Sequence, residues 1–251
     1  MKLFALIGFP LKHSFSKKYF TEKFEQQNIA DCQYELLELP DCQNFPALIA
    51  AHPNLVGLNV TIPHKQQVIA FLDQLDPASA GRIGAVNTIK ILSDGRRIGY
   101  NTDYYGFKTS LENWLNTLPK IDNLKALVLG NGGAAKAVLA ALADLQIGYE
   151  VVSRQPSEQT LAYKQLTKEI VNTHQLVINT SPVGTFPTVA ECPQIPYEHL
   201  TARHLLYDLV YNPAETLFLQ KGKEKGAGTH NGLAMLQLQA EKAWEIWNSE
   251  S

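Results

Sequence analysis

Only three of the 251 residues are cysteine, and Cys32, Cys42 and Cys192 form no CxxC pair and are odd in number. A disulfide framework and a cysteine-built zinc site are thereby excluded, and the three read as reduced, buried thiols. Histidine offers no metal site either: His13, His52, His64, His174, His199, His204 and His230 are scattered, with no HExxH and no Cys/His grouping, so no metal is expected. An excess of one charge is also missing. Twenty-two basic residues face 24 acidic ones, and no Lys/Arg stripe stands out, which argues against capture of nucleic acid. The apolar start, MKLFALIGFP, is broken by Gly8 and Pro10, and the polar run from Lys12 follows too soon for a signal peptide or a membrane span. A cytoplasmic protein, monomer or homodimer, with a small-molecule partner and no membrane is expected.

What the chain does have is a β-then-α rhythm. Apolar runs at Leu3–Ile7, Tyr34–Leu39, Leu55–Val60, Leu124–Leu129, Tyr149–Val152, Leu176–Ile178 and Leu205–Val210 alternate with helix candidates. The helices are expected at Ser16–Asn28, Asp41–Ala51, Lys65–Asp73, Tyr104–Leu118, Gly133–Leu145 and Ala214–Lys225. This predicts an α/β fold of parallel sheets covered by helices. The proline-bearing segment LPKIDN, residues 118–123, looks like the entry to a second domain, with the boundary near residue 105. From Gly232 a last helix carries Leu233, Leu236, Ala240, Ala243, Trp244 and Trp247 on one stripe, which needs an apolar surface.

The run LKALVLG leads straight into Gly130-Asn131-Gly132-Gly133-Ala134-Ala135, followed by a helical pattern and a second strand. In that context GxGxxA is a dinucleotide fingerprint: a tight turn, a close approach of pyrophosphate to the backbone, and phosphate at a helix amino terminus. An NAD site normally ends its second strand with a carboxylate on the ribose, but here Tyr149-Glu150-Val151-Val152 ends in Ser153-Arg154. A hydroxyl and a guanidinium suit a 2′-phosphate, so NADP is expected in preference to NAD. The alternative is a solvated Arg154 with Glu150 facing solvent in mid-strand.

Four polar clusters mark the ends of the early strands: Ser14 and Ser16; Asn59, Thr61 and Lys65; Asn87 and Thr88; and Asn101, Thr102 and Asp103. They supply what a polyhydroxylated substrate and one proton transfer require. Carbonyl reduction needs an acid near the oxygen that gains charge, and the reverse reaction needs a base there; Lys65, held by Asp103, can be both. Each residue also has a plain structural role open to it. Asp103, Ser14 and Ser16 can be helix caps, and Lys65 a surface lysine after Pro63. His64 competes as the acid–base group because histidine titrates near neutral pH.

From GFPLKHSFS to the terminal helix, these segments together resemble the shikimate dehydrogenase family. The resemblance makes Lys65 of GLNVTIPHK the catalytic lysine and Asp103 of NTD its partner, and sets His64 aside. It implies substrate binding by Ser14, Ser16, Thr61 and Asn87, with Asn59 a weaker carry-over, and by Tyr211 of YDLVYNPAETLFL and Gln239 of GLAMLQLQA. Gln237 competes with Gln239, but Gly232, Met235 and Gln239 share a helical face. Leu209 and Gly232 are implied on the cofactor side, with Gly130, Asn131, Gly132, Gly133, Ala134, Ser153 and Arg154. The implied reaction is reversible, NADPH-dependent reduction of 3-dehydroshikimate to shikimate, on the route to aromatic amino acids. Two domains separated by a cleft are implied: residues 1–105 with the terminal helix 232–251 for substrate, and 106–231 as a Rossmann-like, doubly wound NADP domain.

The chain departs from the family pattern at Lys17, in the loop GNGGAAKAV, and at Thr185; Gln155, Pro156, Ser157 and Glu158 also leave Arg154 without a second cation nearby. The rival readings are a quinate/shikimate dehydrogenase using NAD or NADP, a methylenetetrahydrofolate dehydrogenase, which the VNTI and NTD segments fit poorly, and a non-catalytic NADP-binding regulatory module.

Overall fold

In the computed structural model, which describes residues 1–11 and 14–249, side chains alternate along the first strand, β1 (Lys2–Gly8). Leu3, Ala5 and Ile7 enter one apolar cluster, and Phe4 and Leu6 enter another on the opposite face, as the two-residue period of a strand requires. His13, and the last two residues of the terminal segment, lie outside the described residues.

The first of two units comprises Met1–Thr102 and the residues from Ala240 on. After β1 come α1 (Phe15–Gln26), β2 (Cys32–Glu38), α2 (Phe45–Ala51), β3 (Leu55–Val60), β4 (Gln74–Leu75), α3 (Ala80–Ile83), β5 (Thr88–Ile91) and β6 (Arg97–Tyr100). The sheet runs β2-β1-β3-β5-β6-β4. One face packs Phe45, Val68, Ala80, Val86 and Ile89 with β1 and β3. The other packs Phe20, Phe24 and Tyr34, and is closed by Ala240, Ala243 and Trp247 from the far end of the chain.

An all-parallel sheet does not form here. The β1–β2 and β1–β3 pairs are parallel, but β5 runs antiparallel to both β3 and β6. The cause is local: Ser93-Asp94-Gly95 is a turn sequence in which Gly95 takes φ 87 and Leu92 N–H donates to Arg96 O at 2.8 Å. The helix expected at Lys65–Asp73 is likewise replaced, by a 3-10 stretch at Gln67–Phe71. An α-helix starting at Lys65 would need that residue's carbonyl for Ile69 N–H, whereas Lys65 O accepts from Val86 N at 2.7 Å. Asp41–Ala51 divides into a 3-10 turn capped by the Asp41 side chain and then α2.

The second unit is Asp103–Gln239. It holds most of α4 (Thr102–Leu115), then β7 (Lys125–Leu129), α5 (Gly133–Asp144), β8 (Gly148–Ser153), β9 (Leu161–Ala162), α6 (Lys168–Thr173), β10 (Leu176–Asn179), β11 (Leu205–Asp208), α7 (Leu217–Glu224), β12 (Gly228–His230) and the first part of α8 (Leu233–Asn248). All its strand pairs are parallel, in the order β12-β11-β10-β7-β8-β9. Counted from β7, that is the doubly wound order 3-2-1-4-5-6 read from the other edge. Ala126 and Val128 of β7 face α4 and α5, while Leu127 and Leu129 face α6 and α7. The strand order reverses between β7 and β10, so the carboxyl ends of those two strands are where a ligand site is expected.

Candidate active site

At the carboxyl end of β7 the chain turns at Gly130, with φ 118, a conformation that strongly favours glycine. A Cβ there would also lie 2.7 Å from the Thr180 hydroxyl, at the end of β10. Gly132 is the residue before α5, in extended conformation (φ −90), and makes no side-chain cap. Nothing stands within 4 Å of where side chains on Gly132 or Gly133 would begin. A phosphate can therefore approach the backbone closely at the start of a 12-residue helix, as a pyrophosphate seat needs. Gly133 and Ala134 form the first turn of that helix.

This seat opens into a cleft of about 1070 Å³ within the second unit, whose lining includes Gly130, Asn131, Gly132, Ser153, Arg154 and Gln155. Thr180–Val183 and Glu191–Gln194 add a wall that the sequence reading did not include among binding residues, and Tyr163 contributes beside Arg154. The signal for Thr180 and Ser181 was present: polar residues directly after a short apolar strand. β8 ends at Ser153, whose hydroxyl accepts from Gln155 N at 3.2 Å, and Arg154 is exposed. Glu150 points into solvent in mid-strand, 4.0 Å from His174. No carboxylate stands at the end of β8, so the residues present fit a dinucleotide carrying an anionic group on its ribose.

Further along the same sheet edge, Leu209 N–H donates to Asn179 O at 2.9 Å, and Gly232 packs so tightly on Leu209 that any side chain there would overlap its carbonyl. Leu209 and Gly232 are thus neighbours. Tyr211 is half-buried, and burial pushes its hydroxyl's pKa up. Gly106 lets two helices of this unit meet: a Cβ there would lie 2.5 Å from Met235 O and 3.0 Å from Gln239 Cβ. Gln239 is buried where Gln237 is exposed, and Asp103 lies in the first turn of α4 rather than at its cap position. A carboxylate in a first turn is favoured by the helix dipole.

In the first unit most of the polar residues fall into two hydrogen-bonded groups. Ser14 caps α1, its hydroxyl accepting from Lys17 N at 3.4 Å, and Lys17 itself pairs with Glu35 at 2.6 Å. Ser16 lies beside the hydroxyl of Tyr34, which donates to Asn59 Oδ1 at 2.7 Å. Asn59 Nδ2 donates to the Thr88 hydroxyl at 3.2 Å, Thr88 and Thr102 hydroxyls meet at 3.0 Å, and Asn87 Oδ1 accepts from Thr102 N at 2.6 Å. Tyr34 is the missing link that sequence reading took for a strand residue of the core; burial drives its pKa far up, so it stays a neutral donor. Thr61 and Lys65 follow β3, both half-buried. His64 turns inward, 1% exposed, with Nε2 on Leu39 O, which fits a structural post. Among the described residues no group of three His, Cys, Asp or Glu side chains gathers as a metal site would need, and no helix is long and apolar enough to cross a membrane.

Residues 6–89 match the family model described as shikimate dehydrogenase substrate binding domain. The chain is 38% identical to the shikimate dehydrogenase (NADP+) of Desulforamulus reducens, over 97% of this chain and 88% of that one. It is 40% identical to the enzyme of the same name from Clostridium beijerinckii, over 98% and 92%. Among solved structures, it is similar to shikimate 5-dehydrogenase from Thermus thermophilus in complex with NADP(H) and shikimate, with a TM-score of 0.84 at 32% identity, covering 99% of this chain and 94% of that one.

Proposed function

The chain belongs to the shikimate dehydrogenase family, an assignment that makes it an NADP-dependent oxidoreductase acting on a CH–OH group, and on that premise we propose how its residues divide the work. The reaction is the reversible reduction of 3-dehydroshikimate to shikimate; bound NADPH supplies the hydride. Gly130, Asn131, Gly132, Gly133 and Ala134 seat the pyrophosphate, Ser153 and Arg154 take the 2′-phosphate, and Leu209 and Gly232 line the nicotinamide side. Lys65 donates a proton to the carbonyl oxygen as that oxygen gains charge, and in the other direction its neutral amine removes the proton from the hydroxyl. Asp103 accepts a hydrogen bond from that hydroxyl and orients the ammonium. Ser14, Ser16, Asn59, Thr61, Asn87, Tyr211 and Gln239 fix the ring through its hydroxyls and carboxylate. Residues 1–105 with the terminal helix serve the substrate and 106–231 the cofactor. The protein works in the cytoplasm, where Cys32, Cys42 and Cys192, all unpaired, stay reduced.

The observation that carries the cofactor reading is the seat at Gly130 and Gly132, beside Arg154 and without a carboxylate at the end of β8. A four-way assay, following the reduced nicotinamide band with shikimate or quinate and NADP or NAD, tests the whole. Shikimate with NADP should turn over fastest. Faster turnover of quinate with NAD would overturn the assignment, and binding without turnover for every pair would make the chain a regulatory module.

A further inference from the structure

A wall of the cofactor cleft and the segment after β11 meet on one buried carboxylate. Asp208, the last residue of β11, has no exposed surface. Its Oδ1 accepts from Asn179 Nδ2 at 2.9 Å and from Val210 N at 3.0 Å, and its Oδ2 accepts from the Thr216 hydroxyl at 2.6 Å. Asn179, also fully buried, uses the rest of its amide on the loop that follows it. Its Oδ1 accepts from Ser181 N at 3.1 Å and from the Ser181 hydroxyl at 2.7 Å, and Nδ2 also reaches Val183 O at 3.3 Å. Thr180–Val183 are the cleft wall. On the other side, Val210 O accepts from Gly232 N at 3.2 Å, next to the Leu209 carbonyl on which Gly232 packs.

Burying a carboxylate costs stability, and a shape-matched apolar residue would pack without that cost. Among side chains only a carboxylate accepts from three donors at once without offering a donor in return. We infer that Asp208 is a positioning residue: through Asn179 and Thr216 it fixes the spacing between the Thr180–Val183 wall and the Leu209–Tyr211 segment, and so sets the affinity for the dinucleotide. This rests on the cofactor reading above.

Three variants of the full chain test it: Asp208→Asn, Thr216→Val and Thr216→Ser, each measured by NADP titration and by steady-state kinetics with both substrates. Asp208→Asn and Thr216→Val should each raise the Kd and KM for NADP by about tenfold, the scale of one lost charge-assisted hydrogen bond, while Thr216→Ser stays near wild type. KM for shikimate should rise by less than KM for NADP, since of the ring-binding residues only Tyr211 lies on a segment that Asp208 fixes. Thr216→Val also removes the cap of α7, which Asp208→Asn keeps, so agreement between them isolates the carboxylate. If Thr216→Val does not fold, Asp208→Asn against Thr216→Ser decides. Unchanged NADP affinity in the folded variants, or lower turnover with both KM values unmoved, overturns the inference. Failure of the wild-type protein to bind NADP would instead overturn the cofactor reading.

Discussion

The indole of Trp247 fills the space where residue 57 would carry a side chain: a Cβ on Gly57 would lie 2.5 Å from its Nε1. The same Nε1–H donates to Ile89 O at 3.0 Å, so the end of α8 is pinned across β3 and β5. Trp247→Ala should cost about 3–5 kcal/mol, the range for an aromatic removed from a core. Gly57→Ala should destabilise as well, by forcing the ring out. Urea unfolding checks both, and midpoints equal to wild type would mean the ring is not a core element.

Replacing Lys65 by alanine removes the proton donor and leaves the second unit's dinucleotide seat untouched. Turnover should fall by about 10²–10⁴, the usual contribution of a general acid–base group, with NADP affinity unchanged in a fluorescence titration. A rate equal to wild type would return the role to another group.

Asp103→Asn keeps a short polar residue in the first turn of α4 while removing its charge. Turnover should drop by at least about tenfold with little change in helicity by circular dichroism. A loss of helicity with normal kcat on the remaining folded protein would make Asp103 an element of helix stability alone.

Arg154→Gln bears on the cofactor. An arginine on a phosphate is worth about 1.5–3 kcal/mol, so KM for NADP should rise roughly 10–100-fold while KM for NAD barely moves. Equal effects on the two would show that Arg154 does not read the 2′-phosphate.

Asp208 also predicts a pH dependence. Burial pushes its pKa up to about 6, against the partial compensation of its bonds to Thr216, Val210 and Asn179. Since the folded form holds its proton more tightly than the unfolded form, protonation stabilises the fold below pH ~4, and this contribution of about 3 kcal/mol is lost as pH rises through about 6. Asp208→Asn carries no titrating group. Its stability relative to wild type should therefore improve between about pH 4.5 and about pH 7.5 in urea melts; a flat difference would mean that the carboxylate is ionised throughout.

The second unit was legible because its signals are local. Apolar strands β7 and β8 flank glycines in sequence order, and β8 pairs with β7 after the single helix α5. The first unit hid its hairpin because Thr88–Ile91 and Arg97–Tyr100 are four residues each, too short for period to show, and Asp94-Gly95 is its one turn signal. Lys65 and Asp103 were no more than candidates on spacing, and the family resemblance singled them out. What joins Asn59 to Ser16 is Tyr34, and what joins Asn179 to Asp208 is a hydrogen bond across 29 positions. Such pairings depend on which strands lie side by side, and no single stretch of sequence carries that.

Because Ala240, Ala243 and Trp247 close the cluster that Phe4, Phe20, Phe24 and Tyr34 begin, the order of synthesis matters. On the ribosome, residues 1–102 emerge well before residue 240 exists; at ~5–20 residues per second the wait is roughly 7–30 seconds. Throughout that interval the aromatic cluster of the nascent amino-terminal sheet is covered by α1 but lacks Ala240, Ala243 and Trp247. The packing of this unit can therefore be completed only once residues 240–247 have left the exit tunnel.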